Sequence, residues 1–206
     1  MPIFVLIQFF MCVYPLFAQT GRTNPCTLRI ARFRSSCYTD RQISLEKDAV
    51  SMSIEKAKAC LSALGYADHI IELSASTATV AEAAQALGVQ PGMIAKTMSF
   101  LQGDKAVLIL TEGTAKVDNR KYKDTFRTKA KMIPFEDVER LIGHAPGGVC
   151  PFGVPDNVDV YLDESLRQFE TVYPAAGNDH SAVKLTLAEL EQVANAKGWV
   201  DVCKII

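Results

Sequence analysis

Two apolar runs limit how this chain folds more than any other feature. Ala95 to Leu101 and Lys105 to Thr111 are each strand-length, and only Gln102-Gly103-Asp104 separates them. A short spacer with a central glycine is a hairpin signal. Strands joined so closely run antiparallel, because a parallel crossover needs a dozen residues or more. A regular βαβ series is therefore excluded at the middle of the chain.

Helices are expected on both sides of the hairpin. Ile54, Ala57, Leu61 and Leu64 recur at helical spacing, and Gly65 closes that helix. Thr79-Val80-Ala81-Glu82 is a capping box for a helix through Leu87 to Gly88, and Thr186-Leu187-Ala188-Glu189 opens another that runs to Ala196. Pro91 suits the first turn of a brief helix. A polar helix is expected near Asp118 to Phe126, and Phe135 to Ile142 forms one closed by Gly143. Short strands are expected at His69–Leu73, Lys129–Ile133, Val158–Leu162, Thr171–Tyr173, Ala182–Leu185 and Trp199–Cys203. This irregular alternation predicts a mixed α/β (α+β-like) fold, a mixed sheet surrounded by helices.

The dense pattern begins at about residue 52, and residues 1–51 read differently. Met1 to Ala18 is uncharged, barely span-length, and interrupted by Pro2 and Pro15. It resembles a signal peptide without the leading positive charge or a small-residue cleavage site. Gly21 to Arg41 carries five arginines against one acid, as a basic linker or transit-like sequence does. Three readings stand: translation starting at Met52, a targeting segment for export or an organelle, and a membrane anchor. The expected division is an extension, 1–51, and one domain, 52–206, cytoplasmic and with no membrane contact.

Six cysteines are widely spaced, none in a C-x-x-C pair or beside a histidine at ligand spacing. Neither a zinc site nor a disulfide framework is expected. Residues 52–206 hold 16 Lys/Arg against 20 Asp/Glu, yet Lys116, Arg120, Lys121, Lys123, Arg127, Lys129 and Lys131 cluster with only Asp118 and Asp124 among them. Such a patch suits a phosphate backbone without reading its sequence, and Tyr122 and Phe126 would stack on bases if exposed. The competing reading is a solvated helix whose aromatics face the core.

Four stretches bear on chemistry. His144-Ala145-Pro146-Gly147-Gly148-Val149-Cys150-Pro151-Phe152-Gly153 has two readings. In one, Cys150 pairs with His144 or His180 as a thiolate nucleophile. In the other, Gly147 and Gly148 bring backbone N–H groups close to an oxyanion, with Pro146, Pro151 and Pro155 restraining the loop. A plain turn packed by Val149 and Phe152 is the structural alternative. Lys96 lies among apolar residues at a strand start, where it either snorkels or points into a cleft. Small residues after Tyr173 suit a pocket wall, and His180 is a polar contact or a surface residue.

These stretches occur in a telling order. TVAEAAQALGV (79–89), IAKTMSF (94–100), KVDNRKYKD (116–124), GHAPGGVCPFGV (143–154), YPAAG (173–177) and VKLTLAEL (183–190) resemble the YbaK/prolyl-tRNA synthetase-associated editing domain family. The resemblance covers residues 52 to about 204. It implies a barrel-like mixed sheet and hydrolysis of the ester of mischarged tRNA, of the Cys- or Ala-tRNA(Pro) type. The implied partners are the tRNA acceptor end and prolyl-tRNA synthetase, with no DNA. It implies neither a metal nor an organic cofactor. Lys96 matches the family lysine, with Thr97 beside it. Gly147, Gly148 and Pro151 match the glycine loop, and Ala175, Ala176 and Gly177 match the pocket wall. Lys116, Arg120, Lys121, Lys123 and Arg127 become the expected tRNA contacts. Many relatives carry serine at Cys150, which speaks against a cysteine nucleophile. A non-catalytic binding module of the same fold and a small-molecule ester hydrolase are the competing functions.

Overall fold

The computed structural model of the chain describes residues 53–205. The expectations for residues 1–51 lie outside that range. In chain order the elements are α1 (53–63), β1 (Ile70–Glu72), α2 (Val80–Leu87), β2 (Ile94–Gln102), β3 (Lys105–Glu112), β4 (Lys116–Val117) and α3 (Asn119–Phe126). There follow α4 (Phe135–Ile142), β5 (Asp159–Asp163), β6 (Thr171–Pro174), β7 (Ser181–Val183), β8 (Leu185–Thr186), α5 (Leu187–Val193), β9 (Gly198–Val200) and β10 (Cys203–Lys204). Pro91–Met93 and Glu164–Gln168 are short 3₁₀ helices.

The hairpin forms as its sequence demands, with register from Ala95 opposite Glu112 to Gln102 opposite Lys105. It is the middle of a six-stranded sheet of order β8-β6-β2-β3-β5-β9. Pairing to β6, and from β3 through β5 to β9, is parallel, and β6–β8 is antiparallel. Two smaller pairs, β1–β7 and β4–β10, extend the architecture, and a bridge from Ala175 to Ala182 carries β6 over to β7. The result is a mixed, barrel-like sheet with helices around it.

Alternation along β3 divides the core. Leu108 and Leu110 face Leu61, Ile142, Leu162 and Leu190, the side covered by α1, α4 and α5. Val107 and Ile109 face Phe100, Tyr122 and Val202, the side covered by α3. A strand buried on both faces has no room for a polar alternation, hence its unbroken apolar run. Both capping boxes close, Thr79 with Glu82 and Thr186 with Glu189, each worth about 1 kcal/mol to its helix.

Three strand expectations need correction. Among the described residues, Lys129–Ile133 makes one isolated bridge, Met132 to Phe100, and no strand. Arg127 turns left-handed just before it, and Pro134, which has no N–H for a ladder, follows it. Ala182–Leu185 is two strands, because Ser181–Val183 pairs with β1 while Leu185–Thr186 pairs with β6. Trp199–Cys203 is also two. The Val202 N–H leaves the ladder and donates to the Asp163 carboxylate at 2.9 Å. The last helix stops at Val193 rather than Ala196, with Asn195 left-handed.

Candidate functional site

A cleft of about 230 Å³ opens where β2 and β6 part company. Their parallel pairing covers only Ile94 opposite Tyr173 and Ala95 opposite Pro174. Pro174 ends β6 and has no N–H with which to continue. The next two residues of β2, Lys96 and Thr97, line the cleft. Gly147, Val149 and Ala175 line it too, together with Thr77 to Val80 at the start of α2 and Ser181. Lysine, glycine loop and small-residue wall thus share one cavity, although the chain separates them by dozens of residues.

The two glycines of the loop do different things. Gly147 is exposed, adopts a left-handed backbone (φ 89°), and has no atom within 4 Å of the place a Cβ would take. Its N–H has no hydrogen-bond partner among the described residues. Gly148 is buried, and its N–H donates to the Ala145 carbonyl at 3.0 Å. Its missing Cβ lets the Gly177 backbone approach; a Cβ there would lie 2.3 Å from the Gly177 oxygen. A Cβ on Gly177 would in turn lie 2.6 Å from the Ser53 carbonyl oxygen. Ser53 Oγ accepts the Ala145 N–H at 2.8 Å, so the start of α1 clamps both loops. Ala176 and Gly177 are buried behind Ala175. Pro151 is buried as well, and it lines a different cavity with Cys60, Val154 and Asn195.

Lys96 is half-buried, and its ammonium donates to the carbonyls of Gly113 at 3.2 Å and Ala115 at 2.7 Å. Burial pushes its pKa below the usual lysine range, opposed by Cys203 and Glu112, while Lys116 pushes the same way as burial. Thr97 Oγ1 is buried, with no hydrogen-bond partner among the described residues.

Cys150 and His144 do meet, with Sγ 3.6 Å from Nε2, but both are sealed in the core. Nε2 also lies 2.8 Å from the Phe152 carbonyl oxygen, which can only accept, so Nε2 carries the proton. Burial raises the thiol pKa to about 12 and lowers that of the imidazole. His180 is exposed and pairs with the Asp179 carboxylate at 2.8 Å.

In the basic segment, Lys116, Arg120, Lys123 and Arg127 are exposed. Lys121 is committed elsewhere: its ammonium donates to Asp201 at 2.7 Å and to the Cys203 carbonyl at 2.8 Å. Tyr122 is fully buried, and Phe126 packs against it and Tyr161. The interleaved aromatics are core, not stacking platforms. Sequence reasoning missed Ser181 and the start of α2 as cleft walls. The capping box marks where α2 begins, but nothing in it says that this end will line a cleft with Lys96.

A family model described as an aminoacyl-tRNA editing domain matches residues 74–193. The chain is 42% identical over 154 residues to YwhH of Bacillus subtilis, an uncharacterized protein, covering 74% of this chain and 98% of YwhH. It is 24% identical over 135 residues to EbsC of Enterococcus faecalis, named as a Cys-tRNA(Pro)/Cys-tRNA(Cys) deacylase, covering 64% of this chain and 82% of EbsC. A solved structure described as a trans-editing enzyme for prolyl-tRNA synthetase superposes with a TM-score of 0.67 at 31% identity, over 74% of this chain and 97% of that one.

Proposed function

Since the chain belongs to the aminoacyl-tRNA editing domain family, we propose that its folded domain is a trans-acting deacylase. It hydrolyses the ester of mischarged tRNA of the Cys- or Ala-tRNA(Pro) type, as a quality-control step beside prolyl-tRNA synthetase. The observation that carries this reading is the single cleft that holds Lys96, Gly147 and Ala175 together. The name of EbsC supports the Cys-tRNA(Pro) part of this reading, and that of the trans-editing structure supports the link to prolyl-tRNA synthetase.

An aminoacyl ester is already activated, so positioning and charge stabilisation do most of what is required. Water adds to the carbonyl carbon. The Gly147 N–H donates to the developing oxyanion, and the bond to the ribose oxygen then breaks, releasing the amino acid and the free tRNA end. The donor role falls to Gly147 rather than Gly148, because the turn already uses the Gly148 N–H. An ammonium has three N–H bonds, and Lys96 has one left after its two carbonyls. That bond holds the terminal phosphate or the substrate carbonyl. The proton of the attacking water passes to the substrate's own ribose hydroxyl or amine. Thr97 and Ala175 border the amino acid, with Ala176 and Gly177 behind them as support, while Pro151, which lines a different cavity, takes no part in the pocket. Lys116, Arg120, Lys123 and Arg127 take the acceptor-stem phosphates.

The test is deacylation of Cys-, Ala- and Ser-charged tRNA(Pro) by the full chain. Hydrolysis of at least one, lost in Lys96→Ala, is the expected result. Binding of tRNA with no hydrolysis sinks the enzymatic reading and leaves a binding module. Equal cleavage of an aminoacyl-adenosine and the charged tRNA removes tRNA from the mechanism.

A further inference from the structure

The geometry points to Glu112, acting with Thr114, as the positioning residue that holds the Lys96 ammonium for the deacylation proposed above, the reading on which this inference rests. Glu112 ends β3 and is 2% exposed. Burying a carboxylate is costly unless its oxygens are satisfied and a cation is near. Among the described residues no cation lies within 4 Å of it. What it has is a hydroxyl: Thr114 Oγ1 donates to Glu112 Oε1 at 2.6 Å. That bond spans Gly113 and folds the chain back on itself, and the Ala115 N–H closes the turn on the Glu112 carbonyl at 3.3 Å. The two carbonyls that grip Lys96 belong to Gly113 and Ala115, one on each side of Thr114.

The turn is pinned from outside as well. The Glu112 N–H donates to Ser165 Oγ at 3.2 Å. Gly113 lies so near the short helix at Pro91 that a Cβ would come within 2.2 Å of the Pro91 oxygen. Gly92 closes over the carboxylate, and a Cβ there would lie 2.7 Å from Oε2. A rigid turn therefore aims two acceptors at one ammonium and leaves its third N–H directional. A lysine stem is otherwise free to swing.

Charge runs along the same route. Burial works against the Lys96 ammonium, while Glu112 supports it. The other charged or titratable groups acting on it are the Cys203 thiol on β10 and Lys116 on β4, which support and oppose it respectively. Removing the Glu112 charge should let Lys96 lose its proton at lower pH. Nothing in residue spacing pointed to Glu112, since it sits at the end of an apolar strand and reads as the start of a loop.

The experiment uses the full chain with ¹³C-labelled lysine, the Lys96 resonance being assigned by its loss in Lys96→Arg. Titration of that resonance is followed alongside the pH profile of kcat/KM on Ala-tRNA(Pro), Cys-tRNA(Pro) and Ser-tRNA(Pro). In Glu112→Gln and Thr114→Val, the lysine titration and the alkaline limb should both move about half to one pH unit lower. That lowers kcat/KM by roughly three- to tenfold above the limb. Thr114→Ser keeps the hydroxyl and should match wild type. Thr114 is exposed, so Thr114→Val carries the test if Glu112→Gln fails to fold. A lysine titration unchanged in the folded variants overturns the role of Glu112, whatever the activity. If the wild-type chain hydrolyses none of the three tRNAs, the deacylase reading falls, and any use of the lysine in catalysis falls with it. The titration is then a separate result.

Discussion

Gly148→Ala tests how the cleft is built. The added Cβ would lie 2.3 Å from the Gly177 oxygen, 2.8 Å from its carbonyl carbon and 3.1 Å from the Asn178 nitrogen. Ordinary carbon contacts begin at about 3.5 Å, so the loops must part by about 1 Å. All three atoms are backbone, so no rotamer change relieves the clash. Gly177 cannot retreat either, because it lies directly against the Ser53 and Ile54 backbone. Overpacking of this kind costs about 2–3 kcal/mol. For a domain of this size that lowers Tm by roughly 5–10 °C. The same movement shifts Gly147 relative to Ala175, and misplacing the proposed donor by that much should cost roughly a hundredfold in rate. Gly147→Ala is the contrast. Its Cβ meets nothing, its N–H stays, and only the left-handed backbone is strained, at about 1–2 kcal/mol. Thermal unfolding by circular dichroism, with deacylation measured well below the transition, separates the two. A Gly148→Ala protein that melts with wild type, or a Gly147→Ala protein that melts below the Gly148→Ala protein, refutes this packing.

Two further outcomes follow from contacts already described. Cys150→Ser keeps a donor beside the Phe152 carbonyl and should leave deacylation within about twofold of wild type; abolished activity in a folded variant would restore the nucleophile. Arg120→Ala and Lys123→Ala should each reduce the slope of log K for tRNA against log salt by slightly under one, whereas Lys121→Ala should leave that slope alone and lower Tm, because its ammonium is tied to Asp201 and Cys203. Binding isotherms over a salt series decide it, and a flat response for all three removes the basic face from tRNA recognition.

Local signals read well wherever one segment decides its own structure. The hairpin, both capping boxes and the helix ending at Gly143 depend on residues within a few positions of each other. The failures share a cause: a contact from elsewhere redirects a strand. Nothing inside Ala182–Leu185 says that its first half belongs to β1 and its second to β6. Nothing around Val202 says that Asp163, 39 residues earlier, will take its N–H. The site behaves the same way. Lys96 and the glycine loop were legible as residue types and by family resemblance, while Ser181, the start of α2 and Glu112 enter through pairings that spacing does not encode. Pro151 shows the converse, since a loop has two sides and composition does not say which one faces the cavity.

The cysteine and histidine of the loop sharpen what this cleft can do. A nucleophilic pair needs a thiol pKa brought down and an imidazole able to take its proton. Burial moves both the wrong way, the thiol to about 12 and the imidazole below its usual range. The geometry is equally unfavourable, because the nitrogen nearest the sulfur already holds a proton given to the Phe152 carbonyl. The pair instead fixes Phe152 and the turn in front of it, which presents Gly147 to the cleft. The Gly148 N–H is spent in that same turn, on the Ala145 carbonyl. A backbone donor and a tethered ammonium stabilise charge but do not generate a nucleophile. In the reaction proposed above the activating base comes with the substrate, since an aminoacyl ester on a ribose carries a neighbouring hydroxyl and a free amine.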